Sequence, residues 1–139
     1  MIARPWDRDK DYDTLVKWWT DWEFGTVPKE CLPPSGIVVS EDGKDICAGG
    51  LYIGEGTQFG FMEWIVTDKS AEPKTVHKCL KLCIDSIMTL AKDRGIKLYT
   101  QQPRNRLYTK GIKNTTIWFL RKATSRLSYV ILMGHIRRI

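Results

Sequence analysis

One carboxylate in the middle of the chain has the surroundings of a general base. Glu63 lies in the run Phe61-Met62-Glu63-Trp64, where its neighbours are apolar. Partial burial raises the pKa of a carboxyl group, and a base that works at neutral pH needs a raised value. A glutamate on the polar face of a strand, or one in a structural ion pair, fits the same pattern. The sequence leaves these interpretations open.

The C-terminal third of the chain is strongly basic. Residues 94–139 hold 11 of the 22 basic residues and no acidic residue, which gives +11. Residues 1–93 hold the other 11 basic residues and all 16 acidic ones, so 11 − 16 = −5. This asymmetry indicates an anionic partner, which would be nucleic acid, the phosphates of a nucleotide cofactor, or an acidic protein. The alternative is a solvated basic surface that faces the acidic N-terminal part.

Four basic side chains in this third are candidates for phosphate contacts, and two aromatic residues nearby could stack on bases. The basic residues are Arg104, Arg106, Lys110 and Lys113, and the aromatic ones are Trp118 and Tyr129.

The cysteines do not form a metal-binding pattern. Cys31, Cys47, Cys79 and Cys83 match no zinc spacing, and no CxxC occurs. Cys79 and Cys83 are four residues apart on one face of a predicted helix. We therefore expect them to be small core residues, and we predict no metal site.

Length and hydropathy predict one cytoplasmic domain. The 139 residues fit a single domain over 1–139, and 42% of them are hydrophobic, enough to build a core. No apolar run approaches the roughly 20 residues of a membrane span. The charged N-terminus lacks the apolar stretch of a signal peptide. We expect a monomer or homodimer with no membrane partner.

The N-terminal half is predicted to contain a helix and a three-stranded meander. A short strand is followed by a helix with Asp11 as N-cap and an apolar stripe of Leu15, Trp18, Trp19 and Trp22. Three strands follow, with Asp42-Gly43 as the hairpin turn between the first two. The strands cover 37–39, 46–53 and 59–67.

The C-terminal half begins with the clearest helix of the chain. Apolar residues repeat at helical spacing from Val76 to Ala91, with Thr75 as a possible N-cap and Gly95 at the end. A strand follows at 96–100, and the predicted helix between the two strands requires a parallel crossover. Residues 104–113 suggest a short helix, 115–120 fit either a strand or a helix, and 127–133 predict a final strand.

This order resembles the GNAT superfamily of N-acetyltransferases, an α/β fold with a mixed sheet in the order strand-helix-three-strand meander-helix-strand-helix-strand. The segment from Met62 to Asp68 resembles the family's fourth strand, and Gly95 to Tyr99 resembles its fifth. Residues 105–112 are similar to the family's Asn…Leu-Tyr-x-Lys-x-Gly-Phe segment. The Trp-rich first helix, the Leu-Pro loop and the Glu-Trp-Ile-Val strand together resemble small phage-encoded GNAT-like proteins, which implies the host cytoplasm.

The resemblance implies direct transfer of an acyl group from acetyl-CoA to an amine acceptor. Glu63 would be the general base and Tyr108 the general acid for the departing thiolate. The sheet would open just after Trp64 to admit the cofactor. The remaining implied cofactor contacts are the backbone of Ile65, Val66 and Thr67, the helix start at Lys74, Thr75, Val76, His77 and Lys78, and Asn105.

The pyrophosphate loop departs from the family pattern. The family has Arg/Gln-x-x-Gly-x-Gly/Ala at this position, whereas residues 68–78 contain no glycine. Glycine there allows the backbone to approach the phosphates closely. The alternative hypothesis is therefore a GNAT-like protein that kept the fold, lost the cofactor, and binds nucleic acid or a host protein through its basic C-terminal third.

Overall fold

The computed structural model describes residues 1–101, 116–122 and 129–135. These residues form two α-helices, seven strands and one short 3₁₀ turn at Lys29–Cys31. The helices are α1 (Arg8–Asp21) and α2 (Pro73–Asp93). The strands are β1 (Ile2–Pro5), β2 (Ser35–Glu41), β3 (Lys44–Ile53), β4 (Phe59–Thr67), β5 (Leu98–Gln101), β6 (Thr116–Lys122) and β7 (Tyr129–His135).

The seven strands lie side by side in chain order in one mixed sheet. Neighbouring strands are antiparallel except β4 and β5, which are parallel. Helix α2 connects these two strands, because a parallel pair needs a crossover. The predicted meander and crossover are confirmed, and the segment left open between strand and helix is strand β6. The suggested helix at 104–113 lies outside the described residues.

The two helices cover opposite faces of the sheet. On the α2 face, Cys79, Cys83 and Ile87 pack against Cys47 and Leu51 in a cluster of buried residues. The prediction that Cys79 and Cys83 are core residues is confirmed, since both are fully buried.

On the other face, α1 packs its apolar stripe over β2, β3 and β4. Leu15, Trp18 and Trp19 are buried there with Trp6 and Val66. The stripe ends one turn earlier than predicted. The helix stops at Asp21, and Trp22 in the C-cap position is 39% exposed.

Both predicted N-caps were wrong. Helix α1 begins about two turns before its apolar stripe. Its N-cap is Asp7, whose side chain accepts hydrogen bonds from the backbone N–H groups of Asp9 and Lys10. Asp11 is instead buried inside the helix, where it accepts two hydrogen bonds from Arg4, at 2.8 and 2.9 Å. Several aspartates in this run could serve as the N-cap, and the path of the chain as it leaves β1 decides which of them does.

Helix α2 likewise starts before Thr75. Pro73 occupies its first turn, where the missing N–H of proline costs nothing, and Glu72 takes the N-cap position without a side-chain hydrogen bond. At the other end Gly95 has φ +76°, the left-handed conformation that terminates helices. In the part of the chain that the structure describes, neither helix combines the length and apolarity that crossing a membrane would require.

Candidate active site

Within the part of the chain that the structure describes, the last residues of β4 have a strand partner on one side only. Pairing between β4 and β5 runs from Phe59 opposite Leu98 to Met62 opposite Gln101. Strand β4 continues to Thr67 and remains paired with β3 on its other side. The described pairing of β4 with β5 thus ends at Met62, opposite Gln101, which is the last residue described before residue 116. No described strand pairs with Ile65, Val66 or Thr67 on the side away from β3, and we call that side the open edge.

A β-bulge lies at the start of the open edge. Ala48 is opposite Val66 and Gly50 is opposite Glu63, so two residues of β4, Trp64 and Ile65, face Gly49 alone. Trp64 has φ +58°, which is rare for a bulky side chain. Bulges re-aim side chains and are frequent beside functional sites.

Glycine is required opposite this bulge. A Cβ added at Gly49 would come within 2.8 Å of Ile87 Cδ1 and 3.1 Å of Ile65 Cγ1. Ile87 is fully buried, so its Cδ1 would have to shift within a packed core. A side chain at position 49 would therefore disturb both the bulge and the packing of α2.

The indole ring of Trp64 anchors this left-handed residue to its neighbours. Trp64 Nε1 donates a hydrogen bond of 2.7 Å to the Tyr52 hydroxyl, and that hydroxyl donates in turn to the Cys31 carbonyl oxygen. The Trp64 ring also meets Trp19 edge to face, with 6.1 Å between centroids. A left-handed non-glycine residue costs about 1–3 kcal/mol, and contacts of this kind offset it.

The bulge brings Glu63 and Trp64 to the same face of the sheet. Met62 packs in the α2 cluster, so alternation along the strand turns Glu63 toward the α1 face, where Trp64 also packs. Glu63 lies opposite Gly50, over which Trp6 packs closely. The candidate base is therefore half-buried on an aromatic face of the sheet beside the open edge.

Asp68 organises the turn that joins β4 to α2. Its carboxylate accepts hydrogen bonds from Ser70 N at 2.8 Å and Ser70 Oγ at 2.7 Å, and it pairs with Lys44 Nζ at 2.8 Å. Ala71 N–H donates to the Asp68 carbonyl oxygen. Burial opposes the carboxylate charge, but the hydrogen bonds from Lys44 and Ser70 outweigh it and lower the pKa of Asp68 to about 2.

Few backbone amides of this turn are left for a phosphate. Ser70 and Ala71 donate to Asp68, Pro73 has no N–H, and Val76 N–H donates to the Glu72 carbonyl. The contacts of the described residues leave the amides of Glu72, Lys74 and Thr75 at the helix start, where the helix dipole favours an anion. The side chains of Lys74, His77 and Lys78 are exposed around it, and those of Thr75 and Val76 are half-buried.

Sequence reasoning missed the role of Trp22. Its Nε1 donates a hydrogen bond of 2.9 Å to the Thr67 carbonyl oxygen at the end of the open edge. Lys69 Nζ donates to the Asp21 carbonyl oxygen at 2.8 Å and lies 5.3 Å from the centre of the Trp22 ring. The sequence held one signal for this: Trp22 is the last residue of the stripe and is followed by Gly25.

Part of the predicted site lies within the described residues. Ile65, Val66 and Thr67 line the end of β4, and a five-residue turn separates them from the start of α2 at Lys74–Lys78. Six predicted site residues lie outside the described residues: Arg104, Asn105, Arg106, Tyr108, Lys110 and Lys113. Within the described part of the chain, no group of three His, Cys, Asp or Glu side chains is placed to hold a metal ion.

Comparison with solved structures identifies the architecture. Over 79% of this chain and 69% of that protein, it is similar to Rv2747 from Mycobacterium tuberculosis, solved in complex with CoA, with a TM-score of 0.61 at 12% identity. An N-acetyltransferase from Staphylococcus aureus Mu50 matches with a TM-score of 0.56 at 12% identity, over 78% of each chain. The chain has the GNAT fold.

A third structure with the GNAT fold extends the match over nearly the whole chain. N-acetylglutamate synthase from Neisseria gonorrhoeae, complexed with coenzyme A and L-arginine, matches 99% of this chain and 33% of its own, with a TM-score of 0.62 at 10% identity. No protein-family model matches the sequence, and no curated protein does. The likeness thus concerns the GNAT fold alone, because sequence identities of 10–12% assign no role to any residue.

Proposed function

We propose that this protein transfers an acyl group from acyl-CoA to an amine acceptor. One observation carries the proposal: among the described residues, Ile65–Thr67 have a strand partner on one side only, a half-buried glutamate precedes them, and a short turn joins them to the start of α2. An open strand edge offers unpaired N–H and C=O groups to an extended amide-bearing chain such as pantetheine. The neighbours in complex with CoA have the same fold.

The cofactor arm would pair with the backbone of Ile65, Val66 and Thr67. The two amides at Lys74 and Thr75, with the Lys74 and Lys78 side chains, would face the pyrophosphate. The strand would offer the pantetheine arm more hydrogen-bonding groups than the turn would offer the pyrophosphate, because Asp68 uses the amides of Ser70 and Ala71. Recognition would rest more on the strand and the lysines than on a glycine-rich loop.

Glu63 would remove a proton from the acceptor amine, directly or through a water molecule. The deprotonated nitrogen attacks the thioester carbonyl carbon, the C–N bond forms, and the C–S bond breaks as the thiolate leaves. Tyr108 is our proposal for the group that protonates this thiolate. Donors along the open edge would stabilise the negative charge that develops on the thioester oxygen.

Replacing Glu63 tests this role. Glu63→Gln keeps the shape of the side chain and removes its basicity, so the rate of CoA release from acetyl-CoA in the presence of a panel of primary amines should fall by about 10²-fold or more. Affinity for acetyl-CoA should change little, because Glu63 is not expected to contact the cofactor. The matched control is Glu55→Gln in the exposed turn between β3 and β4. Equal rates in the two variants would remove Glu63 from the mechanism.

A second candidate function is binding of nucleic acid or a protein partner without catalysis. It is favoured by two contacts: Asp68 accepts hydrogen bonds from the turn, and Trp22 already bonds to Thr67 on the open edge. Isothermal titration with acetyl-CoA at millimolar concentration separates the two functions. Absent heat, together with a salt-dependent DNA gel shift that is lost in Arg104→Glu/Arg106→Glu, would favour the second.

A further inference from the structure

The backbone of Thr67 faces away from β3. Asp68 N–H donates to the Ile46 carbonyl oxygen at 2.7 Å, so Asp68 and Ile46 form a hydrogen-bonded pair of the antiparallel ladder. In such a ladder adjacent residues point their N–H and C=O groups to opposite sides. The Thr67 carbonyl oxygen is therefore turned to the open edge, where an extended ligand would pair with it.

That carbonyl is already occupied by the end of α1. Trp22 Nε1 lies 2.9 Å from it, and the indole ring consequently stands on the open edge. Lys69, two residues beyond Thr67, fastens the same turn by its hydrogen bond to Asp21 and its position over the Trp22 ring. We call residues 22–24 with these contacts the Trp22 cover.

The contacts of the Trp22 cover lie at the surface, where water can replace them. Trp22 and Phe24 are each 39% exposed, and their rings lie near-parallel with centroids 6.5 Å apart. The hydrogen bonds are made by exposed side chains, for which water can substitute. The cover is attached to the sheet at the surface, unlike Trp18 and Trp19, which are buried in the core.

The turn that carries the cover contains a left-handed residue. Glu23 has φ +56° at the position after the C-cap, which usually holds glycine. Phe24 N–H donates to the Trp19 carbonyl oxygen and Glu23 N–H to that of Thr20, so the strained turn is closed by its own hydrogen bonds. A left-handed glutamate costs energy, which these hydrogen bonds at the helix end help to offset.

We infer that the Trp22 cover is an autoinhibitory contact that closes the open edge of β4 and is displaced when the acyl-CoA arm pairs with Thr67. This inference rests on the proposed function, because it regulates that same site. The closed state competes with the ligand for one carbonyl oxygen and for the space beside it. Loosening the cover should therefore raise the apparent affinity for acyl-CoA.

The test compares binding of acetyl-CoA by isothermal titration. Trp22→Phe keeps an aromatic ring and loses the indole N–H, and Lys69→Met keeps the apolar stem and loses the ammonium group. Each should bind acetyl-CoA about fivefold more tightly than the unaltered protein. The matched control is Lys17→Met, which removes an ion pair to the Asp21 side chain on the same helix end and leaves the cover intact. Its affinity should be unchanged.

A second measurement follows the cover directly. The indole N–H resonance of Trp22, assigned by its disappearance in Trp22→Phe, should exchange with solvent faster when acetyl-CoA saturates the protein. Tighter binding by both variants with faster exchange supports the cover. Equal binding by all four proteins overturns the cover and leaves the proposed function standing. Absence of acetyl-CoA binding even in Trp22→Phe overturns both, since no ligand then competes for the edge.

Discussion

Replacing Asp68 by asparagine should destabilise the protein in a pH-dependent manner. Asp68 is 4% exposed and accepts hydrogen bonds from Ser70 N, Ser70 Oγ and Lys44 Nζ. Asparagine keeps one acceptor oxygen and turns the other position into a donor, which faces the donors of Lys44 or Ser70. We expect the free energy of unfolding to fall by about 2 kcal/mol at pH 7. The substitution removes a charge-assisted hydrogen bond to a mostly exposed lysine and leaves one mismatched donor in a buried position.

The sign of the pH dependence follows from the lowered pKa of Asp68. The folded protein holds this carboxyl group at a pKa of about 2, below its ordinary value of 3.8. The stability that it contributes is therefore fully present above pH 3.8 and is lost as the pH falls toward and through 2. The difference in unfolding free energy between the unaltered protein and Asp68→Asn should shrink over that interval.

Urea unfolding monitored by circular dichroism at pH 7, 4 and 2.5 measures this difference. Asp13→Asn, at an exposed position of α1, is the control and should change stability by less than about 0.5 kcal/mol at each pH. A difference for Asp68→Asn that stays constant between pH 7 and 2.5 would refute the assignment of the lowered pKa to these contacts. A difference indistinguishable from that of Asp13→Asn would refute the role of Asp68 in holding the turn.

Two further substitutions probe the sheet beneath the site. Gly36→Ala places a Cβ 2.2 Å from the Trp6 ring and should lower the free energy of unfolding by about 1–3 kcal/mol or more. Gly25→Ala is the control: its Cβ would have nothing within 4 Å, so the free energy of unfolding should change by less than about 0.5 kcal/mol. Equal effects of the two substitutions in urea unfolding would disprove the packing of Trp6 on Gly36. Tyr52→Phe removes the hydroxyl that holds Trp64 and should cost about 1 kcal/mol and lower the transfer rate. Tyr12→Phe removes a hydroxyl bound to a loop carbonyl away from β4, so it should cost similar stability without the loss of rate.

Much of the fold could be predicted from the sequence because its signals are local. The hairpin at Asp42-Gly43 follows from residues that accept positive φ, and β4 was predicted at the residues where it is found, 59–67. Apolar spacing placed α2 and its end at Gly95. The caps were wrong because several side chains near a helix start can accept the same hydrogen bonds, and only the path of the preceding chain decides among them.

The candidate site was harder to predict because it depends on contacts between distant segments. Alternation along β4 gives no warning of the bulge at Trp64, which arises from its packing and from Gly49 on the neighbouring strand. The bond from Trp22 to Thr67 joins residues 45 positions apart. Asp68 also differs from expectation: the sequence showed only that the loop lacks glycine, whereas in the structure the Asp68 carboxylate accepts from Ser70 N–H and the Asp68 carbonyl oxygen accepts from Ala71 N–H.

The proposed function requires that the open edge of β4 bind an acyl-CoA arm. Titration of uniformly ¹⁵N-labelled protein with acetyl-CoA, followed by amide resonances, measures this at single residues. The account predicts the largest shifts at Ile65–Thr67 and at Lys74–Thr75, with none at the β2–β3 hairpin around Gly43. Shifts confined to other parts of the chain, or no shifts at millimolar acetyl-CoA, would contradict it.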